Sequence, residues 1–172
     1  MSRAVIYEKF GGPEVLELRN VPEPHAGPSE IRIRVAAVGL NPMDPAFAAM
    51  PELAARFNIT LPSGFGYDFA GSVDEVGEDV GGFTVGDRVY GGVMERAAAD
   101  FVVIKTDASE AIFHTPEGLS DEVATRCTSS ARPRQPRSQQ SISRRKTPFW
   151  SAGQQAVLEF SLCSWLGLLA QR

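Results

Sequence analysis

A catalytic metal needs ligands held close together, and this chain offers none at ligand spacing. Its two histidines, His25 and His114, stand far apart, and neither is near Cys127 or Cys163. Catalytic zinc draws on Cys and His, and a lone His in a strand or loop is more often a plain surface or core residue than a ligand. Two cysteines do not make a disulfide framework either. A dinucleotide would need a strand, a glycine-rich turn and a helix whose N-terminal N–H groups receive the pyrophosphate. Residues 125–172 contain no G-x-G-x-x-G or G-x-x-G-x-x-G. The polar groups of interest lie in two short glycine-led segments, Gly39-Leu40-Asn41-Pro42-Met43-Asp44 and Gly66-Tyr67-Asp68. Local rules alone read Asn41-Pro42 as a turn, Asp44 as the cap of a following helix and Tyr67 as a core residue.

The elements that must position these residues are short strands. Ala4-Val5-Ile6-Tyr7 opens as a strand, and Gly11-Gly12-Pro13 is a turn signal. Val15 to Arg19 reads as a second strand. Glu30 to Val35 alternates cleanly, with Ile31, Ile33 and Val35 on one face and Arg32 and Arg34 on the other. That is the pattern of a half-buried strand. Gly71 to Val76, Val85 to Tyr90 and Phe101 to Ile104 are further strand candidates. Gly66, Gly71, Gly77, Gly86 and Gly91 serve backbone geometry. Pro51 to Phe57 is the best helical candidate. Short strands at close spacing predict a mainly β domain, a small barrel or a sandwich. Near the end of this part, Ser120 followed by Asp121 and Glu122 announces a helix start.

Composition divides the chain. Its 172 residues carry a net charge of −4 and 43% hydrophobic residues, enough for a packed core. Residues 1–124 hold nine Lys and Arg against twenty Asp and Glu, while residues 125–172 hold eight against one, Glu159. An acidic body argues against a nucleic-acid binder. No secretory leader is visible, and the longest apolar run, Ala156 to Ala170, is too short for a membrane span. A cytoplasmic protein is the expectation. Residues 125–147 are basic and lack apolar periodicity, which predicts a disordered linker. Residues 148–172 form an apolar tail around Trp150, Phe160 and Trp165 of uncertain structure.

Residues 1–124 resemble the medium-chain dehydrogenase/reductase superfamily, in its zinc-free quinone oxidoreductase branch. The resemblance rests on V-G-L-N-P-M-D (Val38 to Asp44), L-P-S-G-F-G-Y-D-F-A-G (Leu61 to Gly71), V-D-E-V-G (Val73 to Gly77), V-G-D-R-V-Y-G (Val85 to Gly91) and P-E-G-L-S-D-E (Pro116 to Glu122). Their order and spacing together carry it. It implies a GroES-like, partly open β-barrel with short helices as the catalytic domain. It implies hydride transfer from NADPH to a quinone or an α,β-unsaturated carbonyl. Zinc members of the superfamily place Cys where Asn41 stands and His where Tyr67 stands, so the resemblance implies no metal. Asn41 and Asp44 are implied beside the nicotinamide ribose and Tyr67 near the cleft floor, the three forming the catalytic set. The resemblance also allows a homo-oligomer.

The same family places a Rossmann domain after this one, yet residues 125–172 hold no complete one. Regrouping the codons of Thr147 to Arg172 in a shifted frame allows D-T-V-L-V-G-G-A-A-G-G-V-G-V-F-S-V-Q-L-A-R-L-A-G-A-T. That string is an apolar strand, a G-x-x-G-x-x-G turn and an amphipathic helix. The tail therefore reads as a frame-shifted nucleotide domain with a junction near Thr125 to Cys127. The expectation is an enzyme-family chain without its cofactor cradle, so NADPH binding and turnover by this chain should be absent or very weak. The competing reading is a non-enzymatic binding module that uses the basic, apolar tail.

Overall fold

The computed structural model describes residues 1–107 and 110–128. The expected linker beyond Thr128, the apolar tail and the shifted-frame element lie outside the described residues. Among the described residues the architecture is mainly β with short helices. The strands are β1 (Ser2–Ile6), β2 (Glu17–Val21), β3 (Glu30–Gly39), β4 (Asp68–Val76), β5 (Arg88–Gly92), β6 (Phe101–Lys105) and β7 (Ala111–His114). The helices are α1 (Met43–Ala49), α2 (Pro51–Arg56) and α3 (Asp121–Ala124), with a 3-10 turn at Pro13–Val15.

β1 and β2 form a two-stranded antiparallel ribbon, and the others form a five-stranded sheet in the order β6-β3-β4-β5-β7. Every pairing in that sheet is antiparallel. Sequence neighbours β6 and β7 occupy its two opposite edges. Only residues 106–110 join them. A flat five-stranded sheet would hold its edge strands about 19 Å apart, close to the full reach of that connection. Curling the sheet towards a barrel relieves the demand. The expected partly open barrel is therefore the observed one, and the sandwich alternative is not.

The alternation in β3 decides what the sheet encloses. Ile31, Ile33 and Val35 face inward with Phe69 and Val73 of β4, Val89 of β5, and Val102 and Ile104 of β6. Arg32 and Arg34 face outward, as expected. Both guanidinium groups lie over the Phe101 ring, at 4.8 and 4.7 Å from its centroid, and both pair with Asp74. The register of β3 on β4 shifts between Val35 and Ala37. At that bulge Gly71 lets the strands approach closely, since a Cβ there would lie 2.1 Å from the Arg34 carbonyl oxygen.

Several boundaries differ from the sequence reading. β4 begins at Asp68, not Gly71, and β5 runs from Arg88 to Gly92, not from Val85. Val85 is 65% exposed and precedes the turn at Gly86 (φ +97°). Pro13–Val15 is a 3-10 turn, and β2 starts only at Glu17. α1 forms at the helix expected to follow Asp44, although it contains Pro45, a residue that breaks helix interiors. It is tolerated because Pro45 falls in the first turn, where its missing N–H has no intrahelical partner to lose. α3 forms where Ser120 announces it, with the Ser120 hydroxyl accepting from the Val123 N–H at 3.4 Å. Residues 125–128 continue as a turn against the barrel, with Thr125 and Thr128 buried.

Candidate active site

The turn after β3 and the first residue of β4 meet at one end of the barrel. Gly39 pairs with Asp68 across the two strands. Asn41 and Asp44 follow Gly39 within one turn, so both reach the same corner. The Asn41 backbone N–H donates to Asp44 Oδ2 at 2.6 Å, and its side-chain Nδ2 donates to Asp68 Oδ2 at 2.9 Å. One half-buried asparagine thus holds two buried carboxyl groups. Asp44 is 0% exposed and Asp68 4%. Asp44 is not the helix cap expected of it: Pro42 holds the N-cap with no side-chain bond, and Asp44 lies inside the first turn of α1, accepting from the N–H of Asn41 that precedes the cap. Thr125 packs on Gly39, where a Cβ would lie 3.2 Å from the Thr125 Cβ.

A third carboxyl group completes the corner. Glu95 is 4% exposed, and Tyr7 Oη donates to its Oε2 at 2.8 Å. Glu95 takes φ +54°, a left-handed conformation that a non-glycine residue adopts only when its surroundings hold it there. Burial drives the electrostatics. It pushes Asp44 up to about 6 against the hydrogen bond from Asn41, and Asp68 adds to the rise. Burial likewise pushes Glu95 up to about 7, with Asp44 contributing, and raises Asp68.

Tyr67 stands immediately before β4 and is half-buried. Its ring lies close against Gly92 of β5, where a Cβ would fall 2.3 Å from Cε1. The ring is thus packed in part against the sheet while the residue keeps partial exposure. Asn41, Asp44 and Tyr67 therefore converge on the β3–β4 end. The sequence reading missed Asp68, Glu95 and Tyr7. Asp68 carries a retrievable signal, a lone charge opening an otherwise apolar run, Phe69-Ala70-Gly71. Glu95 and Tyr7 carry none, because only the fold brings positions 88 residues apart together.

Neither histidine joins this corner. His114 stacks on Phe83 at 4.8 Å, and His25 is exposed beside Glu75. Among the described residues no group of three or more His, Cys, Asp or Glu has the geometry of a metal site. Among them, too, no helix is long and apolar enough to cross a membrane.

Residues 27–117 match the alcohol dehydrogenase GroES-like domain. That match covers more than half of the chain and the whole five-stranded sheet. The chain belongs to the medium-chain dehydrogenase/reductase superfamily, in its quinone oxidoreductase branch. A Pseudomonas aeruginosa quinone oxidoreductase is 38% identical over 125 residues, covering 72% of this chain and 36% of that protein. The quinone oxidoreductase of Coxiella burnetii superposes with a TM-score of 0.68 at 32% identity, over 76% of this chain and 42% of that one. Escherichia coli quinone oxidoreductase, solved in complex with NADPH, gives 0.63 at 28% identity, over 73% of this chain and 36% of that one. This chain thus spans roughly two fifths or less of the quinone oxidoreductases it resembles. Oxidoreductase membership and the GroES-like fold follow directly from these matches.

Proposed function

We propose that this chain supplies the substrate-side domain of a zinc-independent, NADPH-dependent reductase of quinones or α,β-unsaturated carbonyls. As the 172-residue chain it turns over weakly or not at all. The observation that carries the reading is the Asn41 bridge. The half-buried Asn41 is held through its backbone N–H by Asp44 and through its side-chain amide by Asp68, while both carboxyl groups are enclosed. NADPH, when bound, supplies the hydride. The chain's own residues then divide the work. Asn41 spends its Nδ2 on Asp68 and keeps its Oδ1 to accept from a ribose hydroxyl. Asp44, fully enclosed, acts on the cofactor only by holding Asn41, so its role is positioning. Tyr67 walls the cleft with the exposed part of its ring.

The donor set supports zinc independence. Asn41, Asp44, Asp68 and Glu95 offer oxygen, whereas catalytic zinc in such folds favours nitrogen and sulfur. Weak binding follows from a second point. The described residues fit the nicotinamide riboside end of the cofactor, but none forms a glycine-rich helix N-terminus for the pyrophosphate. The same reading carries a cytoplasmic location.

The test is an amide NMR titration of the ¹⁵N-labelled 172-residue chain with NADPH and with a simple quinone, alongside a turnover assay. Shifts centred on Asn41, Asp44 and Tyr67, saturating only at high ligand concentration and with negligible turnover, are expected. Shifts confined to another face would overturn the site. Turnover at the level of complete relatives would overturn the proposed inactivity.

A further inference from the structure

The corner beneath Asn41 holds an unbalanced set of charges. Asp44, Asp68 and Glu95 are each more than nine-tenths buried, and each uses one oxygen. The second oxygens, Asp44 Oδ1, Asp68 Oδ1 and Glu95 Oε1, are buried and have no hydrogen-bond partner among the described residues. Buried carboxylates of this kind are ordinarily matched by a guanidinium or an ammonium. Among the described residues none of the three takes part in an ion pair. Arg96, next to Glu95 in sequence, turns away to Glu110, and Arg3 is paired with Asp100. The groups that face the cluster are neutral. They are Tyr7 and Ser63 from the first bridge, Asn41 from the β3–α1 turn and Thr128 from the turn after α3. Tyr7 itself is pushed up to about 12 by burial, so it stays protonated throughout. A protonated carboxyl group gains an O–H donor. That changes three acceptors with nothing to accept from into a set that can satisfy itself.

We propose that Asp44, Asp68 and Glu95 form a proton-holding cluster, in which protons bound to the carboxyl groups do the neutralising that a cation would otherwise do. Its release at alkaline pH loosens the corner that holds Asn41. The claim concerns the chain's own fold and stands whether or not the site transfers hydride. Burial of all three groups and their mutual repulsion act in the same direction. The sign follows from linkage. The folded chain keeps protons that the unfolded chain has released, so stability from this cluster is full below about pH 4 and declines as pH rises through about 7. A rise in Glu95 from 4.5 to about 7 corresponds to proton binding tighter by on the order of 100-fold.

The experiment compares the 172-residue chain with Glu95→Gln, which fixes this position in a neutral, hydrogen-bonding form. Denaturant unfolding is followed from pH 5 to pH 8, with infrared detection of the protonated carboxyl C=O stretch in ¹³C-labelled protein. Relative to the Gln variant, the parent's folding constant is expected to fall on the order of 100-fold across that range. The parent should also show a protonated carboxyl band at pH 6 that weakens in the variant. Parallel pH profiles would overturn the proposal. So would the absence of a protonated band at pH 6, a measurement on the parent alone that needs no variant to fold. Stabilisation of the parent at pH 8 by millimolar Mg²⁺ or Ca²⁺, matched by no change in Glu95→Gln, would assign neutralisation to a cation and overturn it as well.

Discussion

Gly92 offers a sharp test of how the Tyr67 wall is built. In Gly92→Ala the new Cβ would lie 2.3, 2.6 and 2.9 Å from Tyr67 Cε1, Cζ and Oη. The ring must retreat by about an ångström to restore ordinary contact. Overpacking of this kind costs typically 1–3 kcal/mol. Alanine returns some of that, about 0.5–1 kcal/mol, because glycine is a poor strand residue. The expected net loss is about 1 kcal/mol, or roughly 4–5 °C in Tm for a domain of this size. The nearest atoms all belong to one side chain, so the loss depends on that side chain. In a Tyr67→Ala background only the strand gain remains, so Gly92→Ala should stabilise by about 0.5–1 kcal/mol, giving a coupling of about 2 kcal/mol in a double-mutant cycle. Gly91→Ala is the control. Its Cβ would strike the Ala111 carbonyl oxygen at 2.2 Å, and removing Tyr67 opens no room there. Thermal or denaturant unfolding of the four proteins reads the cycle. Additivity of Gly92→Ala and Tyr67→Ala within about 0.5 kcal/mol would refute the packing argument.

Three further outcomes are expected. Asp100 receives the Arg3 backbone N–H and two guanidinium bonds at 2.8–3.0 Å, tying β1 to the loop before β6. Burial works to raise its pKa, but the Arg3 bonds outweigh that and hold it below the usual carboxylate range. Asp100→Asn should therefore lose about 1 kcal/mol at pH 7, discounted for partial exposure. The deficit should vanish as pH falls through the lowered pKa, read by unfolding midpoints at several pH values. Ile33→Ala empties a fully buried position of β3 and should cost about 2–5 kcal/mol, enough to unfold much of a marginal domain at 37 °C by circular dichroism. Thr128→Val removes the buried hydroxyl that donates to the Gly91 carbonyl at 3.2 Å, at a cost of about 1 kcal/mol, and faster amide exchange should appear along β5.

The sheet was legible because its signal is local. Ile31, Ile33 and Val35 alternate with Arg32 and Arg34, and a period of two leaves one reading for that segment. Ser120 likewise announced α3 by a rule that acts within three residues. The helix expected after Asp44 is α1, but it starts at Met43, one residue before the expected cap. β4 was shortened because Phe69-Ala70-Gly71 is buried on both faces and shows no alternation. At the site, Asn41, Asp44 and Tyr67 emerged through resemblance rather than through any pattern of spacing. Asp68 lay inside a quoted motif without being singled out. Tyr7 and Glu95 belong to opposite parts of the chain, and their hydrogen bond is a product of barrel closure.

The sheet order has a consequence for the chain as it leaves the ribosome. β3 finds β4 as soon as both are made, but its other neighbour, β6, ends only at Lys105. About thirty residues must be translated between the end of β4 and the end of β6, a wait of about 2–6 s at ordinary elongation rates. Throughout that interval the Ile31 and Ile33 strand has an open edge, and its apolar face lacks Val102 and Ile104. Such an edge recruits other nascent chains. The arginines at 32 and 34 have Asp74 of β4 within reach by then, but during the same seconds they lack the Phe101 ring on which they rest in the finished protein. They act then as charged gatekeepers that discourage edge-to-edge pairing until β6 arrives.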